Sequence, residues 1–328
     1  MSAPSLLDLF RILSSFSPPR VSLRSAPWDE YVDWAIAQGL APLAAYNLEY
    51  RLTGGGAPEW ARDRLLSVYQ GSVNDNVMKL VSFKRAVDDL EGRRILLFGG
   101  ASFAEAVYPH VAFRPVPEIR LRVNASDVAP FAGFLRESSF QRFPERPEGP
   151  DANATVLSDG HAFLLIFSSL LGPGREEAER ALVERALPMK VYGPSVFRVD
   201  LEDSILLASL EQARAGFDVP FITFVDLREL VTGASSMSGP LSRPPDAALV
   251  RARAKEWRME RALYASLSIL IRLFPDVEPA ARPMLPSLRP ATRALLDRLI
   301  VEPVSQLGRV RSVRGMDRLR RLLTGSSF

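Results

Sequence analysis

Residues 94–123, RILLFGGASFAEAVYPHVAFRPVPEIRLRV, constrain the fold more than any other stretch, because two structural periods meet in them. The short apolar run Ile95–Phe98 stops at Gly99-Gly100, as a buried strand entering a tight turn does. Ala101 to Val107 then runs without a helix breaker. After a proline-punctuated turn, Glu118 to Val123 is predicted as a second strand whose side chains alternate by face. Residues i and i+2 of a strand point to the same side, so Glu118 and Arg120 are expected to project together beside the glycine turn. Strand, glycine turn, helix and strand form the frame of a small site.

The stretches before and after this frame have helical periods. Leu6, Leu7, Leu9, Phe10 and Leu13 predict a first helix that ends by Pro18-Pro19, and Pro27 and Asp29 open a second. A third follows from Leu40 to Tyr50, and a long helix is expected from Pro58 to Leu90. Downstream, a helix after a Ser126 N-cap precedes Phe140 and Phe143, which flank polar residues as a strand would. The turn-rich residues 146–153 read as a surface connection. Further strands are expected at Ala154–Leu157, Ala162–Phe167 and Met189–Tyr192, with a charged helix at Arg175–Arg185 between them. From Asp200 the chain turns helical to its end, interrupted by a linker-like Gly233–Pro245 and a proline-rich Pro275–Pro290.

The fold class is therefore α+β: a small mixed sheet of about five strands embedded in a mainly helical chain. The expected division is a helical N-terminal region (1–90), an α/β core (91–199) and a helical C-terminal region (200–328).

Composition removes several chemistries. Cysteine is absent, so there is no thiolate nucleophile, disulfide or zinc-thiolate centre. His110 and His161 are the two histidines, too few for a histidine metal centre or a persuasive nucleophilic triad. The first residues lack the pattern of a signal peptide, and no membrane span is expected, which points to a cytoplasmic protein. The net charge of +3 over 328 residues gives weak grounds for nucleic-acid binding.

The residues Leu96, Leu97, Gly99, Tyr108, Pro109, Arg114, Pro115, Ile119, Leu121 and Val123 match the signature of a bacterial family of uncharacterised nucleotidyltransferases, which the chain resembles. The resemblance extends to the helical lead-in and to a later helical pair, matched by Leu206, Leu207, Asp226 and Leu227. It implies a polymerase-beta-like core in which two aspartates on the second strand hold divalent metal on a nucleoside triphosphate. Three family positions differ: the lysine before the glycine is Phe98, the first aspartate is Glu118, and the second is Arg120. A further family acid is missing from the apolar run 161–168, and the family histidine of the helical pair is lost near Glu211. A guanidinium in place of one of two carboxylates opposes Mg²⁺ binding through a fixed positive charge at short range.

Candidate roles follow from these positions. Gly99 and Gly100 could offer backbone N–H groups to a phosphate or simply form a turn, and Ser102 could cap the next helix or touch the phosphate. Arg114 and Arg120 are candidate phosphate ligands; Arg114 could instead hold the turn before Pro115, and Arg120 could pair with Glu118 across the vacated metal position. Glu118 is the one remaining catalytic or metal-ligating candidate of the motif. His110 is a better general-base candidate than His161. Arg309, Arg311, Arg314, Arg318, Arg320 and Arg321 form a basic, amphipathic C-terminal patch.

The leading expectation is a catalytically degenerate nucleotidyltransferase-like protein that contacts a protein partner or senses a nucleotide, with no cofactor. One alternative is an active enzyme moving a nucleoside monophosphate to a protein, sugar or small molecule, with Mg²⁺ and NTP held by Glu118 and a rearranged acid such as Glu105 or Asp127. A second is a nucleic-acid-binding module that uses the C-terminal arginines.

Overall fold

The computed structural model describes residues 4–52, 56–88, 90, 92–143, 151–233 and 242–301. The C-terminal arginines 309–321 lie outside the described residues, as do residues 144–150 and 234–241.

Four helices lead in: α1 (Leu6–Leu13), α2 (Trp28–Ala37), α3 (Ala41–Tyr46) and α4 (Glu59–Val87). Ser5 and Asp8 form a capping box that fixes the start of α1. The core follows as β1 (Ile95–Phe98), α5 (Gly100–Ala106), β2 (Ile119–Arg122), α6 (Val128–Glu137), β3 (Gln141–Arg142), β4 (Thr155–Ser158), β5 (Phe163–Phe167), α7 (Glu176–Arg185), β6 (Leu187–Pro188) and β7 (Val196–Arg198). Helices α8 (Leu201–Arg214), α9 (Ile222–Thr232), α10 (Ala247–Glu256) and α11 (Glu260–Leu273) complete the body, with short turns and a helix at Pro290–Leu296 behind them. Among the described residues no helix is long and apolar enough to cross a membrane.

The α+β class is as expected, in a seven-stranded sheet with the order β3-β4-β5-β2-β1-β7-β6. β1 runs antiparallel to β2, and β2 runs parallel to β5. The strand expected between Phe140 and Phe143 is β3, and the two further strands are β6, of two residues, and β7, of three. The expected strand at Met189–Tyr192 is a 3-10 turn, and the strands lie on either side of it as β6 and β7. The local pattern is overridden because Tyr192 is drawn under α4, where its ring packs on Phe83 and its hydroxyl donates to Glu105. The Ser126 cap is also absent. Ala125–Asp127 is a 3-10 turn, and α6 begins at Val128 without a side-chain cap.

Strand alternation divides the core into two layers. Ile95, Leu97, Ile119, Leu121, Leu164 and Ile166 face one apolar cluster, with α6 and the C-terminal part of α4. Leu96, Phe98, Leu165 and Phe167 face the larger cluster, which joins the lead-in helices to α8, α9 and α11. Arg120 and Arg122 lie on this second face. The register places Phe98 opposite Arg120 on one side and Leu165 opposite it on the other.

Polar residues of α4 hold the loop that leads into β2. Asn76 donates to the carbonyls of Val111 and Arg114, both at 2.8 Å, and accepts from the Val116 amide at 3.0 Å. Lys79 adds a bond to the Val116 carbonyl at 2.9 Å. A fully buried Asn whose bonds all go to backbone fixes that loop rather than packing against it.

Candidate functional site

The second face of the sheet opens into a cleft of about 1540 Å³. Its floor is the glycine turn, Phe98 and β2; its walls are α7, α8 and the loop 168–173; its far end is lined by α2 and α9.

Both glycines of the turn have a geometric cause. Gly99 has φ +66°, a region that side chains disfavour. At Gly100 an added Cβ would lie 2.5 Å from Nη1 of Arg114. Arg114 cannot retreat: its Nη2 and Nε donate to Asp226 at 3.0 and 3.3 Å, and its Nη1 to the Pro115 carbonyl at 2.6 Å. Gly100→Ala is therefore expected to cost about 1–3 kcal/mol in urea unfolding. Unchanged stability would mean that the guanidinium gives way.

Asp226 also accepts from the Tyr108 hydroxyl at 2.7 Å, so one buried carboxylate gathers Tyr108 and Arg114. Burial works against the charge on Arg114, but Asp226 outweighs it and the pKa is raised. Arg114 is thus bonded to both the Pro115 carbonyl and Asp226. Ser102 is buried within α5, whose N-cap is Gly99 without a side-chain bond, so it neither caps the helix nor borders the main cleft.

Arg120 does not pair with Glu118. Its Nη1 donates to Glu211 at 2.7 Å, its Nη2 pairs with Asp151, and its guanidinium carbon lies 5.3 and 5.2 Å from the ring centres of Phe98 and Phe167. The correction has a simple cause: acids on α8 and in residues 151–154 reach the guanidinium, while Glu118 lies half-buried at the entrance of β2. Burial opposes the charge on Arg120, yet Glu211, Asp151 and Glu118 together raise its pKa. Burial raises the pKa of Glu211, with Arg120 opposing it.

The residues present do not fit a divalent ion. Asp151 and Glu211 are committed to Arg120, and the described residues hold no group of three or more His, Cys, Asp or Glu arranged for a metal. Glu105 bonds to Tyr192, and Asp127 interacts with Asn124 and Ser126; neither borders the cleft. Nor does either histidine. His110 caps a 3-10 turn by accepting from the Ala112 amide, and His161 is exposed at the edge of β5.

Asp151, Glu211, Arg122, Glu179 and Arg214 belong to the cleft without having been expected there. Glu179 receives the amides of Leu170 and Leu171, the Ser169 hydroxyl and Nε of Arg122, and so clamps the loop 168–172. Its signal in the sequence was hidden among Glu176, Glu177 and Glu179, which read as one solvated face. Only Glu179 of the three is buried. Glu211 offered a signal: it follows the apolar turn Ile205–Leu210 of α8, broken only by Ser209, and Arg120 needs a counter-charge.

A family described as "Uncharacterised nucleotidyltransferase" matches residues 24–275. Comparison with curated proteins gives no match, and comparison with solved structures gives none either.

Proposed function

The chain belongs to the uncharacterised nucleotidyltransferase family, and we propose that it is a member without metal-dependent nucleotidyl transfer whose cleft serves binding. In this reading the protein acts in the cytoplasm as a nucleotide-sensing or protein-contact module. One observation carries it: the guanidinium of Arg120 stands where the family pattern has an aspartate, bonded to Asp151 and Glu211 and resting on Phe98 and Phe167. A metal-bridged transfer needs two cations' worth of charge on clustered oxygens, and here a fixed cation already binds those oxygens.

The active alternative, with Glu118 and Glu105 or Asp127 as ligands, is not favoured, because the latter two side chains are engaged away from the cleft. The test pairs a transfer assay using labelled NTPs and Mg²⁺ or Mn²⁺ with thermal unfolding under the same conditions. The expected result is no transfer and no metal-dependent rise in midpoint. Transfer that disappears in Glu118→Ala would overturn the proposal. A metal-independent rise lost in Arg120→Ala would identify a nucleotide sensor that contacts this guanidinium directly.

A further inference from the structure

Four of the cations that border the cleft are matched by acids. Lys79 pairs with Asp75, Arg114 with Asp226, Arg120 with Asp151 and Glu211, and Arg122 with Glu179. Arg180 and Arg214 border the same cleft, and among the described residues neither has a carboxylate within ion-pair distance. Arg214 is the more constrained. Its Nη1 donates to the Leu170 carbonyl at 2.7 Å, while its Nε is buried with no partner. Glu211, three residues back on α8, is taken by Arg120. Burial lowers the pKa of Arg214; Glu211 and Glu179 oppose that effect, and the charges of Arg175 and Arg120 add to it. A half-buried guanidinium with an unpartnered donor and, among the described residues, no ion-pair acid is short of a counter-anion.

The surroundings are preformed. Glu179 fixes the loop 168–172 through two amides and a hydroxyl, so the carbonyl that orients Arg214 does not drift. Gly172 (φ +84°) lies beside Nη2 of Arg214, which is 3.8 Å from where a Cβ would stand. Arg180 on α7 and Ser168 line the same cleft and are exposed.

We infer that the corner of the cleft at Arg214, with Arg180 of the same cleft as a second cation, binds the phosphate of a phosphorylated small molecule without a metal ion. Forked guanidinium donors match a phosphate dianion in both charge and geometry. The place differs from both phosphate positions suggested by the sequence: Arg114 covers Gly100 and is held by Asp226, and Arg120 is held by two acids. The cleft exceeds the roughly 300–1,000 Å³ of ordinary ligand sites. Beyond the corner it offers an apolar end, lined by Ile36, Pro42, Val68, Pro220 and Ile222, to the rest of the molecule. Near that end the buried Oε1 of Gln212 has no partner.

The inference rests on the reading of the cleft as a metal-free binding site. Its test is calorimetric titration in EDTA at low salt with inorganic phosphate, adenosine 5′-monophosphate and adenosine. Saturable binding is expected for the first two, tighter for the monophosphate, and none for adenosine. Tighter binding of inorganic phosphate than of the monophosphate would assign the corner to free phosphate and overturn the claim of an organic ligand. Arg214→Gln is expected to weaken binding at least tenfold and Arg180→Gln about threefold to tenfold, whereas Arg214→Lys keeps part of it and guards against a folding defect.

Metal-free binding that survives both Gln variants would overturn this inference alone. Binding that requires Mg²⁺ and is lost in Glu118→Gln would overturn the proposed function as well. No binding of either phosphate would overturn the inference and leave the absence of transfer standing.

Discussion

Asp226→Ala is expected to lower unfolding stability by about 3–5 kcal/mol, the usual cost of removing one member of a buried ion pair. Asp226 is 1% exposed and its two oxygens serve three donors: the Tyr108 hydroxyl and Nε and Nη2 of Arg114. With the carboxylate gone, a buried guanidinium loses its ion-pair partner and a buried phenol loses its acceptor. Arg114 would keep only the Pro115 carbonyl at 2.6 Å. Asp226→Asn retains an oxygen for one donor while removing the charge, so its loss should be smaller. Urea unfolding of both variants provides the comparison; a drop below about 1 kcal/mol in Asp226→Ala would show that water or a rotated Arg114 replaces the pair. The effect should reach the cleft, because Arg114 lies over Gly100 and anchors the loop that Asn76 holds from the other side.

This network explains part of the family pattern in physical terms. Tyr108, Arg114 and Asp226 are scattered over more than a hundred positions in the sequence, and each appeared separately among the matched residues. In the fold they form one hydrogen-bonded unit behind the glycine turn. The frame itself was legible because its periods are local: four apolar residues ending at Gly99-Gly100 make β1, and alternation from Ile119 puts Arg120 and Arg122 on one face. Long-range charge pairing was not legible. Nothing near Arg120 in the chain indicates that its partners are Asp151, in a turn-rich connection, and Glu211, on a helix ninety-one residues away. Glu179 was hidden for a related reason: three glutamates in the first turn of α7 look alike until the loop 168–172 covers one of them. The strand expected at Met189–Tyr192 failed because a single aromatic anchor under α4 outweighs a short run's preference.

Arg253→Met is expected to have an effect of the same size as Asp226→Ala, with a pH dependence that identifies its cause. Arg253 on α10 donates from Nη1 to both oxygens of Asp200, at 3.1 and 2.8 Å, and to Asp203 at 2.9 Å. Arg185 on α7 reaches Asp203 from the other side at 2.8 Å. Asp203 is fully buried, and burial first, then the adjacent Asp200, pushes its pKa up from 3.8 to about 6 against the pull of the two arginines. A carboxyl whose pKa is higher in the folded state favours folding while it is protonated. That contribution is complete below about pH 4 and disappears as the pH rises to about 6. Removing Arg253 takes away one of the two opposing cations, so the pKa rises further and the loss continues above pH 6. At pH 8 Asp203 is ionised beside Asp200 with Arg185 still bonded to it, and the deficit should be about 3–5 kcal/mol. Near pH 4 Asp203 is largely protonated and the deficit should shrink to the lost contacts with Asp200 and the loss of packing, which methionine limits by filling the space of the arginine stem. Urea unfolding of wild type and variant at the two pH values is the measurement. Equal deficits would mean that Arg253 holds α10 against α8 by shape and hydrogen bonding, with the charge of Asp203 playing no part.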